Sequence, residues 1–167
     1  MLCGIGFDGK IAHEFSKQQA RGLTTYAKLV SKNFFSATPY NFFIESNGLN
    51  FSSEAYFISI ANSNQFGNNF TIAPEALLAD GLLDIVIAKK TAKPLLLFNL
   101  VRQILAGKVR DIKSSLDHPV VYFQTEKIKI ENLNDAPIHI DGDPAETTHL
   151  IEIEIRKKCF RLIQPAS

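Results

Sequence analysis

The spacing of apolar residues changes character along the chain. Lys127-Ile128-Lys129-Ile130-Glu131 and Ile151-Glu152-Ile153-Glu154-Ile155-Arg156 alternate strictly, which predicts strands with one wet face. Ala55 to Ala61 is almost continuously apolar, the pattern of a strand buried on both sides. From Leu82 to Ala88, alternation sends Leu83, Ile85 and Ile87 one way and Leu82, Asp84 and Val86 the other. Tyr40 to Glu45 is β-branched and aromatic and runs into Asn47-Gly48, a pair that tolerates positive φ at both hairpin positions. Leu2 to Gly9 reads as a short strand entering a glycine-rich turn, and Phe70 to Ala73 as a further strand.

Three segments have helical spacing. Residues 11–20 and 23–35 are separated by Gly22, and 94–107 opens on Pro94, whose missing N–H costs little in a first turn, and stops at Gly107. The elements predict one α+β domain over residues 1–167, mostly β, a two-sheet sandwich-like body with two or three peripheral helices.

Composition narrows the partners. With 167 residues and 46% hydrophobic content, a single domain has a substantial core. A net charge of +1 supplies no field for nucleic acid, and 13 Phe without a Trp suit an apolar interior or lipid contact better than base stacking. Cys3 and Cys159, far apart in sequence, are expected as reduced thiols in a cytosolic protein. Residues 1–10 lack a secretory leader, and the apolar run from Pro94 to Gly107 falls short of the ~20 residues that span a bilayer. The expected location is cytoplasmic, peripheral to a membrane.

Three places could carry chemistry. Gly4, Gly6 and Gly9 fit a G-x-G-x-x-G pattern, but only three residues precede Gly4, little room for the strand a dinucleotide site requires. Close backbone packing is the expected role. Asp80-Gly81 is an acidic turn ahead of a strand; its free carbonyls and carboxylate suit a hard cation, and an ordinary turn explains them equally. In Ile138-His139-Ile140-Asp141-Gly142-Asp143-Pro144, an extended backbone points His139 and Asp141 the same way and lets Asp143 emerge from the turn. A His-x-Asp-x-Asp metal site, a carboxylate pair, and a hairpin turn whose Asp side chains bond their own backbone all remain open. Asn62 to Asn69 is a polar, glycine-containing loop.

Taken in order, Gly4-x-Gly6-x-Asp8, Asn62…Phe66-Gly67, Ala73-Pro74-x-Ala76 through Asp80-Gly81-Leu82-Leu83-Asp84, and Asp141-Gly142-Asp143 resemble the C-terminal domain of the diacylglycerol kinase-like lipid kinases. That group includes sphingosine kinases and their bacterial relatives. The resemblance covers essentially the whole chain. It implies an ATP-dependent enzyme that phosphorylates a hydroxyl of diacylglycerol or a related membrane lipid. It also implies a structural magnesium held by Asp80 and by main-chain carbonyls near Leu77 and Leu82.

The family carries Asp-Gly-Glu where this chain has Asp141-Gly142-Asp143, which assigns the proton-accepting base to Asp143. Aspartate is one methylene shorter, a reach deficit of about 1 Å that can cost on the order of 10²-fold in rate. The loop likewise has Asn68 and Asn69 where the family has glycines. The family's phosphate-binding Gly-Gly-Asp-Gly-Thr loop, which belongs to an N-terminal nucleotide domain, is absent from the 167 residues. The chain by itself is therefore expected to be inactive. Its exposed domain face could support a homo-oligomer, and the apolar helix at 94–107, flanked by lysines, a membrane contact. The rival reading is a non-catalytic β-sandwich module that binds lipid or protein.

Overall fold

The alternating and apolar segments pair as their patterns require. In the computed structural model, which describes residues 1–19, 22–63, 73, 76–78, 80–106 and 116–157, they build one antiparallel sheet that curls around its core. The strands are β1 (Leu2–Gly6), β2 (Tyr40–Ser46), β3 (Leu49–Ala61), β4 (Leu83–Lys89), β5 (Val120–Thr125), β6 (Lys127–Asn132), β7 (Ile138–Ile140), β8 (Asp143–Ala145) and β9 (Leu150–Glu154). The helices are α1 (Phe7–Ser16), α2 (Leu23–Phe34) and α3 (Lys93–Ala106). The mostly-β α+β class with three helices is the one the sequence predicts. What looked like two sheets is one hydrogen-bonded surface, ordered β8-β7-β1-β3-β2-β6-β9, with β4 beside β3 and β5 beside β4.

The long strand β3 is the hub. Its first half pairs with β2 through the Asn47-Gly48 turn, where both residues have positive φ (52° and 71°), and its second half lies between β1 and β4. The strand is longer than predicted because its polar start, Leu49 to Glu54, is held by β2 rather than by its own burial.

Register across the sheet sorts the side chains into rows. Ile138, Ile5, Ile58, Ile87 and Val121 stand opposite one another on neighbouring strands, and all five are buried in one core cluster. One residue along, His139, Gly4, Ser59, Val86 and Tyr122 form the next row. Because side chains alternate, this row faces the other way, toward the helices. There Phe7, Ile11, Leu96, Val86 and Tyr122 make a second cluster, with Tyr26, Leu29 and Phe34 of α2 packed against it. Both faces of the central strands are thus covered.

Gly22 breaks the first two helices at φ 139°. The predicted helix at 11–20 instead starts at Phe7, immediately after β1, because the chain turns at Gly6 with φ 89° and no intervening loop. The strand predicted over 70–73 lies, apart from Ala73, outside the described residues, as do Gly107, Pro74, most of the loop after Ser63, and Cys159. Strand β5, which the pattern did not single out, closes the sheet beyond β4.

Candidate functional site

Three sequence motifs converge on one end of this sheet. The pairings Cys3 with Ile140, Leu2 with Ala61, and Ala61 with Asp84 align the Asp141-Gly142 turn, the start of β1, the end of β3 and the start of β4. The polar loop leaves β3 at the same end, where the Asn62 N–H donates to the Met1 carbonyl at 3.0 Å. The Asp80-Gly81 turn enters β4 there as well.

The Asp141-Gly142 turn is a two-residue hairpin between β7 and β8 with φ 50° and 88°, the I′ geometry that matches strand twist. Both of its ends are tied down. Asp141 Oδ1 accepts the Leu2 N–H at 2.7 Å, and the Asp141 N–H donates to the Leu2 carbonyl at 2.8 Å. The Gly142 N–H donates to His139 Nδ1 at 3.2 Å. Asp143 follows on β8, exposed, and its carboxylate has no partner among the described residues. It stands opposite Ile140, so it shares that residue's face and points away from His139.

His139 was an open metal ligand in the sequence. The structure sends it under α1, 1% exposed, with Nε2 3.1 Å from Asp8 Oδ2. Since Nδ1 accepts the Gly142 N–H, Nε2 carries the ring proton toward the carboxylate. The contact is electrostatic, without the alignment of a linear hydrogen bond. Asp8 lies in the first turn of α1, where the helix dipole favours a carboxylate, and the Tyr26 hydroxyl donates to its Oδ1 at 3.4 Å. Burial, and then the Asp8 charge, push the Tyr26 hydroxyl well above its ordinary range. A His-x-Asp-x-Asp metal site does not assemble: His139, Asp141 and Asp143 go three different ways, and the described residues contain no cluster of three or more His, Cys, Asp or Glu side chains placed to hold a metal.

The same geometry explains the glycines. A Cβ on Gly4 would collide with the His139 ring and with Asp8 Oδ2, and one on Gly9 would collide with the Pro137 carbonyl. At Gly6 it would come within 2.6 Å of the Tyr56 carbonyl. The three glycines let α1 lie close over β1 and β7, which is the packing role expected for them.

The second motif behaves differently. Asp80 is exposed, and its Oδ1 accepts the Leu82 N–H at 2.9 Å, an Asx turn, with Gly81 at φ 77°. Its second oxygen has no partner among the described residues. Leu77 lies outside any strand, and Leu82 sits just ahead of β4, so neither carbonyl is used by a strand pairing. A carboxylate oxygen and main-chain carbonyls outside strand pairing are hard donors of the type magnesium takes, so in donor type Asp80 and the Leu77 and Leu82 carbonyls suit such an ion. Lys157 lays its stem over Gly81 and turns its ammonium to Glu126 at 2.6 Å, which holds the Glu126 carboxyl below its ordinary value.

Asp84, the last residue of the same signature, is fully buried. Its Oδ1 accepts the Tyr122 hydroxyl at 2.6 Å, and Gln124 Nε2 lies 3.2 and 3.3 Å from its two oxygens. It ties β4 to β5. Asp143 and the Asp80 turn share an end of the sheet, but β7, β1 and β3 lie between their strands, four strand spacings along the curled sheet. They are two sites.

Sequence reasoning did not find the Asp8–His139 contact. Asp8 and His139 are 131 positions apart, and only Gly4, which must lack a side chain for them to meet, hinted at it.

Comparison with known proteins agrees with this fold. Residues 2–164 match the family model described as the YegS C-terminal NAD kinase beta sandwich-like domain. A curated protein of Shewanella frigidimarina (strain NCIMB 400), named "Probable lipid kinase YegS-like", is 26% identical over 130 residues, which is 76% of this chain and 38% of that protein. The crystal structure of a "putative diacylglycerol kinase" from Bacillus anthracis str. Sterne superposes with a TM-score of 0.69 at 18% identity, covering 93% of this chain and 49% of that one. Another, of a diacylglycerol kinase from the same organism, gives 0.59 at 20% identity, over 93% of this chain and 46% of that one. At those identities the likeness is one of fold. The chain spans less than half the length of each of these three proteins.

Proposed function

This chain belongs to the YegS C-terminal NAD kinase beta sandwich-like domain family, and from that premise we propose that it is the acceptor-side domain of an ATP-dependent lipid kinase. The acceptor is a hydroxyl of diacylglycerol or a related lipid. The observation that carries the reading is the Asp143 carboxylate, held out on a clamped I′ turn and free of partners among the described residues. A carboxylate so placed accepts the proton of a lipid hydroxyl as the hydroxyl oxygen bonds to the γ-phosphorus of ATP and the bond to the β,γ-bridging oxygen breaks, releasing ADP.

The backbone contacts around Asp141 and Gly142 set where that carboxylate stands, so turn rigidity supplies orientation that a mobile loop would lose. Asp80 and the Leu77 and Leu82 carbonyls would hold magnesium, which would neutralise the acidic turn and steady the entry to β4, a structural role. The groups that cradle ATP belong to a nucleotide-binding domain, which this reading requires as a partner.

The test is turnover of a protein that joins this chain to its nucleotide-binding domain, with Asp143→Asn beside the native form. A fall in kcat of about 100-fold or more with KM for ATP unchanged is expected. Unchanged turnover would make the domain a lipid- or protein-binding module. The chain alone is expected to show no ATP-dependent lipid phosphorylation.

A further inference from the structure

The strand that carries Asp143 has little of its own to hold it. β8 is three residues long, contains Pro144 and lies at the edge of the sheet, paired among the described strands with the three-residue β7 alone. A hairpin so short does not keep its shape in water unaided. Its support comes from α1 and the residue before it, which reach three successive residues. The Gly6 N–H donates to the Pro137 carbonyl at 2.8 Å, His13 Nε2 lies 2.8 Å from the Ile138 carbonyl, and Asp8 Oδ2 lies 3.1 Å from His139 Nε2. The first two hold the backbone at the entry to the hairpin. The third joins two side chains, and it continues to the turn, because the other nitrogen of the same ring accepts the Gly142 N–H at 3.2 Å.

That continuation depends on where one proton sits. A neutral imidazole has one N–H and one bare nitrogen. With the proton on Nε2, the ring shows Asp8 a donor and Gly142 an acceptor. With the proton on Nδ1, two N–H groups would oppose each other at Gly142, and the bare Nε2 would oppose a carboxylate. Asp8 selects the first form. It stands in the first turn of α1 with its Oδ2 shut off from solvent, where it attracts a ring N–H and repels a ring lone pair.

We propose that Asp8 is a positioning residue for the Asp143 turn, acting through the tautomer of His139. The carboxylate keeps the imidazole proton on Nε2, Nδ1 thereby holds the Gly142 N–H, and the turn keeps Asp143 where a lipid hydroxyl meets it. Asp143 points away from His139, so the effect passes through the backbone of the turn. The inference rests on the lipid kinase reading for what Asp143 does; the tautomer and the clamp belong to the chain itself.

Imidazole nitrogen NMR of the full chain reads the proton directly. His139 is expected with a bare Nδ1 and a protonated Nε2, and the Gly142 amide with slowed hydrogen exchange. Asp8→Ala removes the carboxylate without adding bulk. It should speed Gly142 exchange about tenfold and, in the protein joined to its nucleotide-binding domain, lower kcat about tenfold with KM for ATP unchanged. His139→Asn sets an oxygen where Nδ1 stands, and that oxygen accepts the Gly142 N–H without help from Asp8. Asp8→Ala combined with His139→Asn should therefore recover kcat to within about threefold of the native protein, a rescue that a merely structural loss at Asp8 does not allow. His139→Leu supplies no acceptor; it should lose as much as Asp8→Ala and takes its place if that variant fails to fold. A proton on Nδ1, or on both nitrogens, overturns the proposal. So does Gly142 exchange or kcat that Asp8→Ala leaves unmoved, or a loss that His139→Asn does not recover. Unchanged turnover of Asp143→Asn with the tautomer as stated removes the kinase reading alone; an Nδ1 proton with Asp143-dependent turnover removes this one alone.

Discussion

The two faces of the central strands are made from adjacent residues yet differ in kind. On the inner face, Ile138, Ile5, Ile58, Ile87 and Val121 run in register across five strands, all apolar and buried. On the helix-covered face the next row is His139, Gly4, Ser59, Val86 and Tyr122, and Asp8 and Asp84 are buried among them. The inner face holds the sheet together by burial alone. The other accepts the cost of buried polar groups and gives its two carboxylates specific partners: His139 for Asp8, Tyr122 and Gln124 for Asp84. It also fixes the Asp143 turn through the Gly142 N–H. Where stability alone is at stake the pattern is uniform, and where a turn must be positioned it is interrupted.

The largest effect that would sharpen this contrast is Ile58→Ala, in the middle of the apolar row. A fully buried isoleucine leaves a cavity worth about 4 kcal/mol, read as a lower denaturant midpoint with unchanged m-value. Gly4→Ala, one row along, adds a methyl group where the His139 ring and Asp8 already stand, and should cost about 3 kcal/mol by overpacking. If Gly4→Ala were neutral, the close approach of α1 to β7 would not matter to stability.

The third effect is one of pH. Burial first, then Asp8 and Asp141, push the Cys3 thiol up from 9.0 to about 11. The folded state therefore keeps that proton to higher pH than the unfolded state does. Its contribution is full below pH 9 and is lost as the pH climbs toward 11, a loss of about 2–3 kcal/mol. Tyr26 acts in the same direction from a higher starting point. Cys3→Ala should flatten the stability curve between pH 9 and 10; a slope identical to the native one would show that the thiol is not held neutral.

Smallest of all is Lys127→Ala on the wet ladder between β6 and β9. Lys127 and Glu152 lie 3.5 Å apart with side chains 56% and 50% exposed, so the change should cost less than about 1 kcal/mol. A larger loss would mean that the wet strand face is more than a solvated surface.

Much of the fold was legible because strand alternation is local. Lys127 to Glu131 and Ile151 to Glu154 became β6 and β9, and Leu83, Ile85 and Ile87 separated from Asp84 and Val86 as the two-residue period demands. The Asn47-Gly48 hairpin followed from the φ angles those residues tolerate. Less was legible in β5, whose Val120 to Thr125 is bounded by weak turn signals and gains its place from pairing with β4. The single curled sheet was also beyond reach, because local pattern says which face is wet and not which strand is next.

The chain's residues alone settled most of its elements, its mostly-β class and the family motifs, since these depend on spacing within a few residues. Tertiary structure settled which motifs share a place. It drew His139 away from Asp141 and Asp143 to meet Asp8, set the Asp80 turn four strands from Asp143, and packed α2 and α3 on one core cluster. The physical reason is register: a side chain's company in a sheet is fixed by residues on other strands, at separations no local pattern encodes.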